Sequence, residues 1–214
     1  MGGAPGITGV FTYDYHPVIG GGGQHVLQVC RRLPPGEVLV FSGRVNDLPH
    51  HRALLPGLPH GFGKQLLLSL RLNLALPALV RRHGLARLNL HSGPGGLFLL
   101  RRPPRPLLVT AHHTYRQQVR RIGLQAWKRC LVPLERRTLR LADRVACVSA
   151  DTQRSVVDDY GIPVERTTVI PNGIDPERFR PLPEVAREPL SLLYLSRLER
   201  RKGVDFLLRA FRRV

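Results

Sequence analysis

Cysteine is scarce in this sequence, and its few positions argue against two kinds of protein. Cys30, Cys130 and Cys147 are an odd number, and none of them belongs to a C-x-x-C pair. This usage favours a reduced, cytosolic setting over a disulfide-bonded one and argues against a structural zinc site. No basic-then-apolar leader precedes the first predicted strand, which also fits a cytoplasmic protein.

Long apolar runs are missing as well. The most apolar window covers the 15 residues from Leu66 to Val80 and contains Arg71, Asn73 and Pro77. A membrane-spanning helix needs about 20 consecutive apolar residues. We therefore predict a helix packed on the protein core, with a helix lying on a membrane surface as the alternative.

Acidic residues are few, since 15 Asp and Glu stand against 33 Lys and Arg, for a formal charge of +18. Such an excess favours anionic partners, namely nucleic acid, acidic lipid or phosphorylated small molecules. Because most of the basic residues are Arg, the charge is equally compatible with genomic base composition and a solvated surface that has no partner.

What the sequence does contain is the pattern of a folded α/β protein. Hydrophobic residues make up 43% of its 214 residues, enough for at least one complete domain. Apolar, β-branched segments alternate with segments of helical spacing, which predicts a doubly wound, Rossmann-like parallel sheet. The predicted strands are residues 7–15, 37–43, 86–93, 106–113, 143–149 and 167–175. The predicted helices are residues 24–33, 64–83, 95–102, 116–141 with a break at Pro133, and 150–160.

A composition shift predicts where this domain ends. Pro, Glu and Arg dominate the stretch from Phe179 to Pro189, as is typical of a linker. We therefore predict an amino-terminal domain at residues 1–180, a linker at 181–189, and at 190–214 the first strand and helix of a second α/β domain.

Four consecutive glycines, Gly20 to Gly23, lie between the first predicted strand and the first predicted helix. Backbone N–H groups and the positive end of the helix dipole favour an anion at such a turn. Glycine permits positive φ and lets a phosphate approach without a clashing Cβ. The spacing is not G-x-G-x-x-G, so a nicotinamide-dinucleotide site is not expected, and a flexible turn remains an equal alternative.

Two histidines, His112 and His113, stand at the carboxyl end of the strand predicted at residues 106–113. Doubly wound sheets bind ligands at this edge. Because adjacent residues at a strand end point in different directions, we expect one ring to face a cleft and the other to pack or to be solvated. For an isolated pair, histidines without a catalytic role are the commoner case.

Two cations follow the predicted strand from Leu190 to Ser196. Arg197 comes directly after it, and Lys202 with Gly203 stands where the next helix starts. This arrangement would neutralise a diphosphate leaving group, on which negative charge grows as its bond breaks. A solvated run of charge is the alternative.

Taken in order, these segments resemble glycosyltransferase family 4, whose members retain anomeric configuration and have the GT-B fold of two Rossmann-like domains. The resemblance rests on the glycine loop, "TAHH", "ADRVACVSADTQ", "VIPNGIDPERF" and "LLYLSRLERRKGVDFLLRAF". It covers nearly the whole chain, although the two domains of the family normally need a longer sequence.

The resemblance implies a role for each matching position. Gly21, Gly22 and Gly23 would lie near the donor diphosphate, and His112 would face the transferred sugar with His113 beside the cleft. The diphosphate would be held by Arg197 and Lys202. Ser149, Asn172 and Gly173 would line the cleft. For these three residues we expect a purely structural role at least as much as a role in binding, since Asn-Gly forms turns in any context.

The resemblance also implies transfer of a sugar from a nucleoside diphosphate donor to a sugar or lipid-linked acceptor, without a cofactor. The sequence contains no D-x-D pair, so we expect metal independence, with Arg197, Lys202 and backbone amides in place of a cation. The family's second domain supplies the nucleotide pocket and an E-x-x-x-x-x-x-x-E signature that this sequence lacks. We therefore expect no catalysis by these residues alone.

Two further hypotheses follow from the charge. The first is a non-catalytic basic module that binds nucleic acid or an anionic membrane surface, although the 6% of aromatic residues give little support for stacking on bases and no nucleic acid partner is expected. The second combines both ideas, because the basic region from Arg116 to Arg140 could contact an anionic bilayer at the inner face of the membrane.

Overall fold

The structure is a computed structural model that describes residues 6–17, 20–56, 61–122, 126–186, 189–198 and 202–213. The chain divides into two compact units, Met1–Asn172 and Gly173–Val214. The domain limits predicted from composition stay predictions, and residues 187 and 188 of the predicted linker lie outside the described part of the chain.

The first unit is built on one sheet of seven parallel strands in the order β3-β2-β1-β4-β5-β6-β7. This confirms the predicted α/β, Rossmann-like class, since the strand order reverses beside β1 as in doubly wound sheets. The strands are β1 Ile7–Phe11, β2 Val38–Ser42, β3 His51–Ala53, β4 Leu85–Ser92, β5 Leu107–Ala111, β6 Arg144–Cys147 and β7 Thr167–Val169. Edge strand β3 was not predicted, because its three polar and small residues carry no alternating pattern.

Helices cover both faces of the sheet. They are α1 Gly21–Cys30, α2 Phe62–His83, α3 Tyr115–Ile122, α4 Val132–Leu141 and α5 Ala150–Asp158. On one face Val26 and Leu27 of α1 pack against Val10 and Val40. On the other face α2, α4 and α5 share the larger core cluster with β1, β2, β4, β5 and β6.

Helix α2 contains the most apolar window of the sequence. Its buried side chains Leu68, Leu72, Leu76 and Val80 recur every four residues, so one face of the helix packs on the sheet. The prediction of a core-packed helix is therefore confirmed. Among the described helices none is long and apolar enough to cross a membrane.

The short helix predicted at residues 95–102 is wrong. Residues 97–100 have no regular structure, and Leu97, Phe98 and Leu99 are all buried, whereas a surface helix would expose one face. Positive φ angles at Gly93 and Gly95, 113° and 88°, turn the chain away from a helix before this segment. Side chains satisfy its amides instead: Ser69 accepts from Phe98 N at 3.2 Å, Thr138 from Leu99 N at 2.9 Å, and Asn73 from Leu100 N at 2.7 Å.

The long helical region predicted at residues 116–141 is divided. Helix α3 is followed by a 3-10 helix at Ala126–Leu131 and then by α4, while residues 123–125 lie outside the described part. Pro133 lies in the first turn of α4, where a missing N–H costs no hydrogen bond. The prediction that the helix restarts at this proline is confirmed.

The second unit contains helix α6, Val204–Phe211, which begins after Gly203 as predicted. The strand predicted from Leu190 to Ser196 is wrong, since residues 191–195 have no regular structure. Leu192, Leu193 and Leu195 are 74%, 91% and 91% exposed. A lone strand is not stable, and no other described residue of this unit forms a strand with which the segment could pair.

Candidate active site

The carboxyl ends of the parallel strands bring four polar side chains to one edge of the sheet. His91 lies next to last in β4, and His112 directly follows β5. His25 belongs to the second turn of α1, and Asn172 follows β7. In open α/β sheets this edge, near the reversal of strand order, is where ligands bind.

The glycine run forms the beginning of α1, not a flexible turn. Gly20 is its N-cap residue, with φ −140° and ψ 174°, and Gly21 to Gly23 form the first turn. Positive φ does not account for these glycines, because none of the four has it. A Cβ on Gly23 would lie 2.9 Å from Asp14 Oδ2, whereas one on Gly21 would meet no atom within 4 Å.

The first turn of α1 therefore has open space beside Gly21, whereas Gly23 is packed against Asp14. The N–H of Gln24 donates to the Gly20 carbonyl at 3.1 Å, and the N–H of Gly20 donates to Asp14 Oδ2 at 3.0 Å. The N–H groups of Gly21 to Gly23 precede the first intrahelical hydrogen bond and have no acceptor within the helix. These amides and the helix dipole favour an anion.

Asp14 places a carboxylate beside the same helix end. Its Oδ1 lies 3.7 Å from Nε of Arg44, and both side chains are 18% exposed. Asp14 thus anchors the first amide of the run, while Arg44 offsets its charge. The electrostatic preference for an anion at Gly21 and Gly22 is retained, since Asp14 is paired with a cation.

Three imidazole rings meet below this helix end. His91 Nδ1 and His112 Nε2 are 2.9 Å apart, so one ring donates and the other accepts. The His25 ring lies 5.6 Å from that of His91 and 5.0 Å from that of His112, between centroids. A Cβ on Gly22 would lie 3.9 Å from His112 Nε2, which places the glycine turn directly above this ring.

Two of these histidines are neutral at physiological pH. Burial, together with the charges of His25 and His113, lowers the pKa of His112 to about 4. Burial lowers the pKa of the fully enclosed His91 well below its ordinary value, with His112 and His25 adding to the effect. His91 and His112 therefore offer neutral hydrogen-bonding groups, and the end of α1 supplies positive potential.

The remaining predicted residues occupy different kinds of position. His113 is exposed, so the two adjacent histidines do point in different directions, as expected. Asn172 Oδ1 accepts from His25 Nδ1 at 3.0 Å, which joins the segment after β7 to α1. Ser149 is the N-cap of α5 and accepts from the N–H of Thr152 at 3.1 Å, which is a structural role.

Gly173, Arg197 and Lys202 belong to the second unit. All three are exposed, and the carbonyl of Lys202 accepts from the Tyr194 hydroxyl at 2.7 Å. Their predicted roles at a cleft shared with the glycine turn concern both units and stay predictions. Within the described residues no three His, Cys, Asp or Glu side chains lie close enough together to hold a metal ion.

Sequence reasoning missed Asp14, His25 and His91. His91 could have been found, because it lies near the end of a predicted strand, as His112 does. Asp14 lies near the end of the first predicted strand, so its position at the ligand-binding edge was also readable. His25 carried no such signal, since its approach to Asn172 joins residues 147 positions apart in the chain.

Comparison with known proteins identifies the family. A family model described as Glycosyltransferase Family 4 matches residues 19–178. The chain is 33% identical over 119 residues to "D-inositol 3-phosphate glycosyltransferase" of Geodermatophilus obscurus, covering 51% of this chain and 26% of that protein. It is 35% identical over 72 residues to one component of the phosphatidylinositol N-acetylglucosaminyltransferase of Homo sapiens, covering 33% of this chain and 15% of that protein.

Among solved structures, a glycosyltransferase from Rickettsia africae aligns with a TM-score of 0.40 and 11% identity, over 82% of this chain and 46% of that one. The chain thus spans about a quarter or less of the curated relatives that it matches. Because the family model covers most of the first unit, including the glycine turn and His112, the chain belongs to glycosyltransferase family 4.

Proposed function

We propose that the protein containing this chain transfers a sugar, with retention of anomeric configuration, from a nucleoside diphosphate sugar to an acceptor, and that this chain supplies the acceptor-side domain. The observation that carries the proposal is the family match over residues 19–178, which includes both the open first turn of α1 and His112 below it. As a family resemblance implies, the acceptor attacks on the face from which the diphosphate leaves.

The described groups fit two parts of this reaction. The amides of Gly21 to Gly23 hydrogen-bond to the diphosphate, on which negative charge increases as the glycosidic bond breaks. His112 faces the transferred sugar, whose anomeric carbon becomes positive in the transition state. A neutral imidazole does not repel that charge, and the low pKa of His112 keeps the ring neutral.

His91 determines which ring nitrogen of His112 is available to a substrate. Since His112 Nε2 is engaged by His91, Nδ1 is the ring nitrogen that the pair does not use. That nitrogen and the backbone carbonyl of His112 are the groups through which a sugar hydroxyl is held. His112 is therefore a binding and catalytic residue in this proposal, and His91 is a positioning residue.

Arg197 and Lys202 are proposed to hold the diphosphate from the second unit and to replace a metal ion. Two fixed cations supply the charge neutralisation that Mg²⁺ gives in other transferases. This part of the proposal rests on the resemblance of "LSRLERRKG" to the family and on the missing D-x-D pair.

Phosphorylated inositols are the first acceptors to test. Both curated relatives have inositol in their names, one as inositol 3-phosphate and the other as phosphatidylinositol. We place the protein in the cytoplasm, with the inner face of the membrane as its site of action if the acceptor is lipid-linked. The basic nucleic-acid module is not proposed, because nothing in the comparisons supports it.

The test is turnover by the complete protein that the gene encodes. A panel of nucleoside diphosphate sugars is offered with inositol phosphates, with and without EDTA, and the anomeric configuration of the product is read by NMR. We expect retention and no loss of rate in EDTA. An inverted product would contradict the mechanism, and loss of rate in EDTA would contradict metal independence.

Two variants test the residue roles in the same assay. His112→Ala is expected to lower kcat by about 100-fold or more, as is usual when a transition-state contact is removed. Arg197→Ala with Lys202→Ala is expected to lower kcat/KM by at least a similar factor, since two charged contacts are lost. Arg71→Ala on the exposed side of α2 is the matched control and should change neither. Unchanged transfer in a site variant removes the role assigned to it.

A further inference from the structure

A cavity of about 650 Å³ lies on the helical side of the first unit, apart from the glycine turn and the histidines. It is formed by α3, the 3-10 helix, α4 and the end of α5. Six arginines line it with one acidic side chain, Asp159, and three apolar residues, Val119, Val132 and Pro133. The arginines are Arg116, Arg120, Arg129, Arg136, Arg137 and Arg140.

Three of these arginines form hydrogen bonds or ion pairs within the protein. Arg120 pairs with Asp159 Oδ2 at 2.5 Å, and the same oxygen accepts from Ser155. Arg136 donates to the Asp159 carbonyl at 2.8 Å, and Arg137 donates to the Leu100 carbonyl at 3.1 Å. The single carboxylate in the wall is therefore already occupied.

The other three guanidinium groups have no such partner among the residues that the structure describes. Arg116, Arg129 and Arg140 form no side-chain hydrogen bond or ion pair with any residue in the described part of the chain. The Nε of Arg136 is also buried there without a hydrogen-bond partner among the described residues. Cationic side chains that line one cavity repel one another, and an anion between them offsets that repulsion.

Nearby groups add little negative charge. Val132 and Pro133, in the first turn of α4, are apolar and form part of the cavity wall. Glu135, in the same turn, is turned inward and buried, and burial raises its pKa to about 8. It therefore carries little negative charge at neutral pH.

We propose that this cavity is a binding site for a phosphoryl-bearing anion, supplied by an anionic phospholipid headgroup or by a soluble polyphosphate. Planar guanidinium forks match phosphate oxygens bidentately, and several forks converging on one space suit more than one phosphoryl oxygen. The site belongs to the first unit alone, and the proposal does not depend on the sugar-transfer reaction.

The surroundings of Arg129 give the lipid source a structural basis. Trp127, in the same 3-10 helix, is 50% exposed and packs edge-on against exposed Phe62, with ring centroids 4.8 Å apart. Lys128 lies 5.9 Å from the centre of the Trp127 ring. An exposed tryptophan beside cations is common where proteins meet the surface of a bilayer.

The test compares two triple variants of equal charge. The cavity triple is Arg116→Gln, Arg129→Gln and Arg140→Gln, and the control triple is Arg71→Gln, Arg81→Gln and Arg82→Gln on α2. All six side chains are exposed, so both variants should fold, which circular dichroism and thermal unfolding check. Binding to the complete protein is measured by calorimetry with tripolyphosphate, and by co-sedimentation with phosphatidylcholine vesicles with or without phosphatidylglycerol.

We expect the cavity triple to weaken binding by about tenfold or more, as loss of charge-assisted hydrogen bonds does, and the control triple by less than about threefold. If the cavity triple weakens only the binding of tripolyphosphate, the ligand is a soluble polyphosphate. If it weakens only the binding to vesicles that contain phosphatidylglycerol, the ligand is a lipid headgroup. Absence of both kinds of binding, or equal weakening by the two triples, overturns the site in favour of unspecific charge attraction.

Discussion

At the scale of single residues, the orientation of His112 depends on a neighbour that does not itself face the open edge. His91 is buried, and its Nδ1 meets His112 Nε2 at 2.9 Å. An asparagine at position 91 can place an amide group near the same point, whereas phenylalanine fills the space without a polar atom. The pair of variants therefore separates packing from hydrogen bonding.

We expect His91→Phe to lower kcat of the complete protein by about tenfold or more, because His112 loses the partner that orients it, while His91→Asn recovers part of that loss. The ring ¹⁵N shifts of His112 provide an independent measurement, since they report which nitrogen carries the proton. If both variants leave these shifts and kcat unchanged, His91 has no positioning role.

The glycine turn provides a second comparison at this scale. Gly23 lies against Asp14, so Gly23→Ala must displace it and is expected to lower the free energy of unfolding by about 1–3 kcal/mol. Gly21 has open space around it, and Gly21→Ala is expected to raise that free energy by up to about 1 kcal/mol through helix propensity.

Urea unfolding of both variants measures these changes. In the complete protein Gly21→Ala should nevertheless raise KM for the donor, because the new Cβ occupies space above the amides. Stable folding combined with weaker donor binding would distinguish a site glycine from a packing glycine. Equal destabilisation by both substitutions would contradict the geometry described for α1.

At the scale of elements, three helical segments meet on one buried carboxyl group. Glu135 of α4 accepts from the N–H of Tyr115, the first residue of α3, at 2.9 Å and from the hydroxyl of Tyr160, which follows α5. Burial raises the pKa of Glu135 to about 8. The folded protein therefore keeps a proton that the unfolded chain releases near the ordinary pKa of Glu.

This linkage predicts a dependence of stability on pH. Because the folded-state pKa is raised, the contribution of protonated Glu135 is fully present below the ordinary value and is lost as pH rises through about 8. Glu135→Gln removes the titrating group while keeping an acceptor oxygen. The free energy of unfolding of the parent should fall relative to that of the variant by about 1–3 kcal/mol between about pH 5.5 and about pH 8.5.

Urea unfolding at the two pH values measures the difference, and histidines that titrate in the same range cancel because both proteins contain them. Parallel pH profiles for parent and variant would show that Glu135 is ionised in the folded state.

At the scale of the whole molecule, the charge of +18 destabilises the folded state. Like charges at the surface repel one another, and salt screens exposed charges over distances beyond about 10 Å at 0.1 M. The midpoint of thermal unfolding is therefore expected to rise by a few degrees between about 0.05 M and about 0.5 M sodium chloride.

The control triple on α2, Arg71→Gln, Arg81→Gln and Arg82→Gln, has three fewer positive charges, so its unfolding midpoint should rise less with salt. An equal rise for both proteins would point to a general effect of salt on apolar hydration. A falling midpoint would mean that attractive ion pairs outweigh the repulsion.

Features that are specified by residues adjacent in the sequence were predicted correctly. The apolar spacing of α2, the restart of the helix at Pro133 and the position of His112 at a strand end are all readable from a few adjacent residues. The helix predicted at residues 95–102 was wrong, because its amides are satisfied by α2 and α4 side chains far away in the chain. The expectation that positive φ explains the glycine run was wrong too, because Gly21 to Gly23 are helical. At Gly23 the structural reason for glycine is the contact with Asp14, with which a Cβ would clash.

The sequence by itself determined the parallel α/β class, the presence of a helix after the glycine run and the family resemblance, because each depends on local order along the chain. The tertiary structure alone decided that His25, His91 and His112 share one cluster, and that six arginines from three helical segments line one cavity. Periodicity specifies which face of an element is buried. Which distant side chains then meet depends on how the sheet twists and on how its helices pack across it.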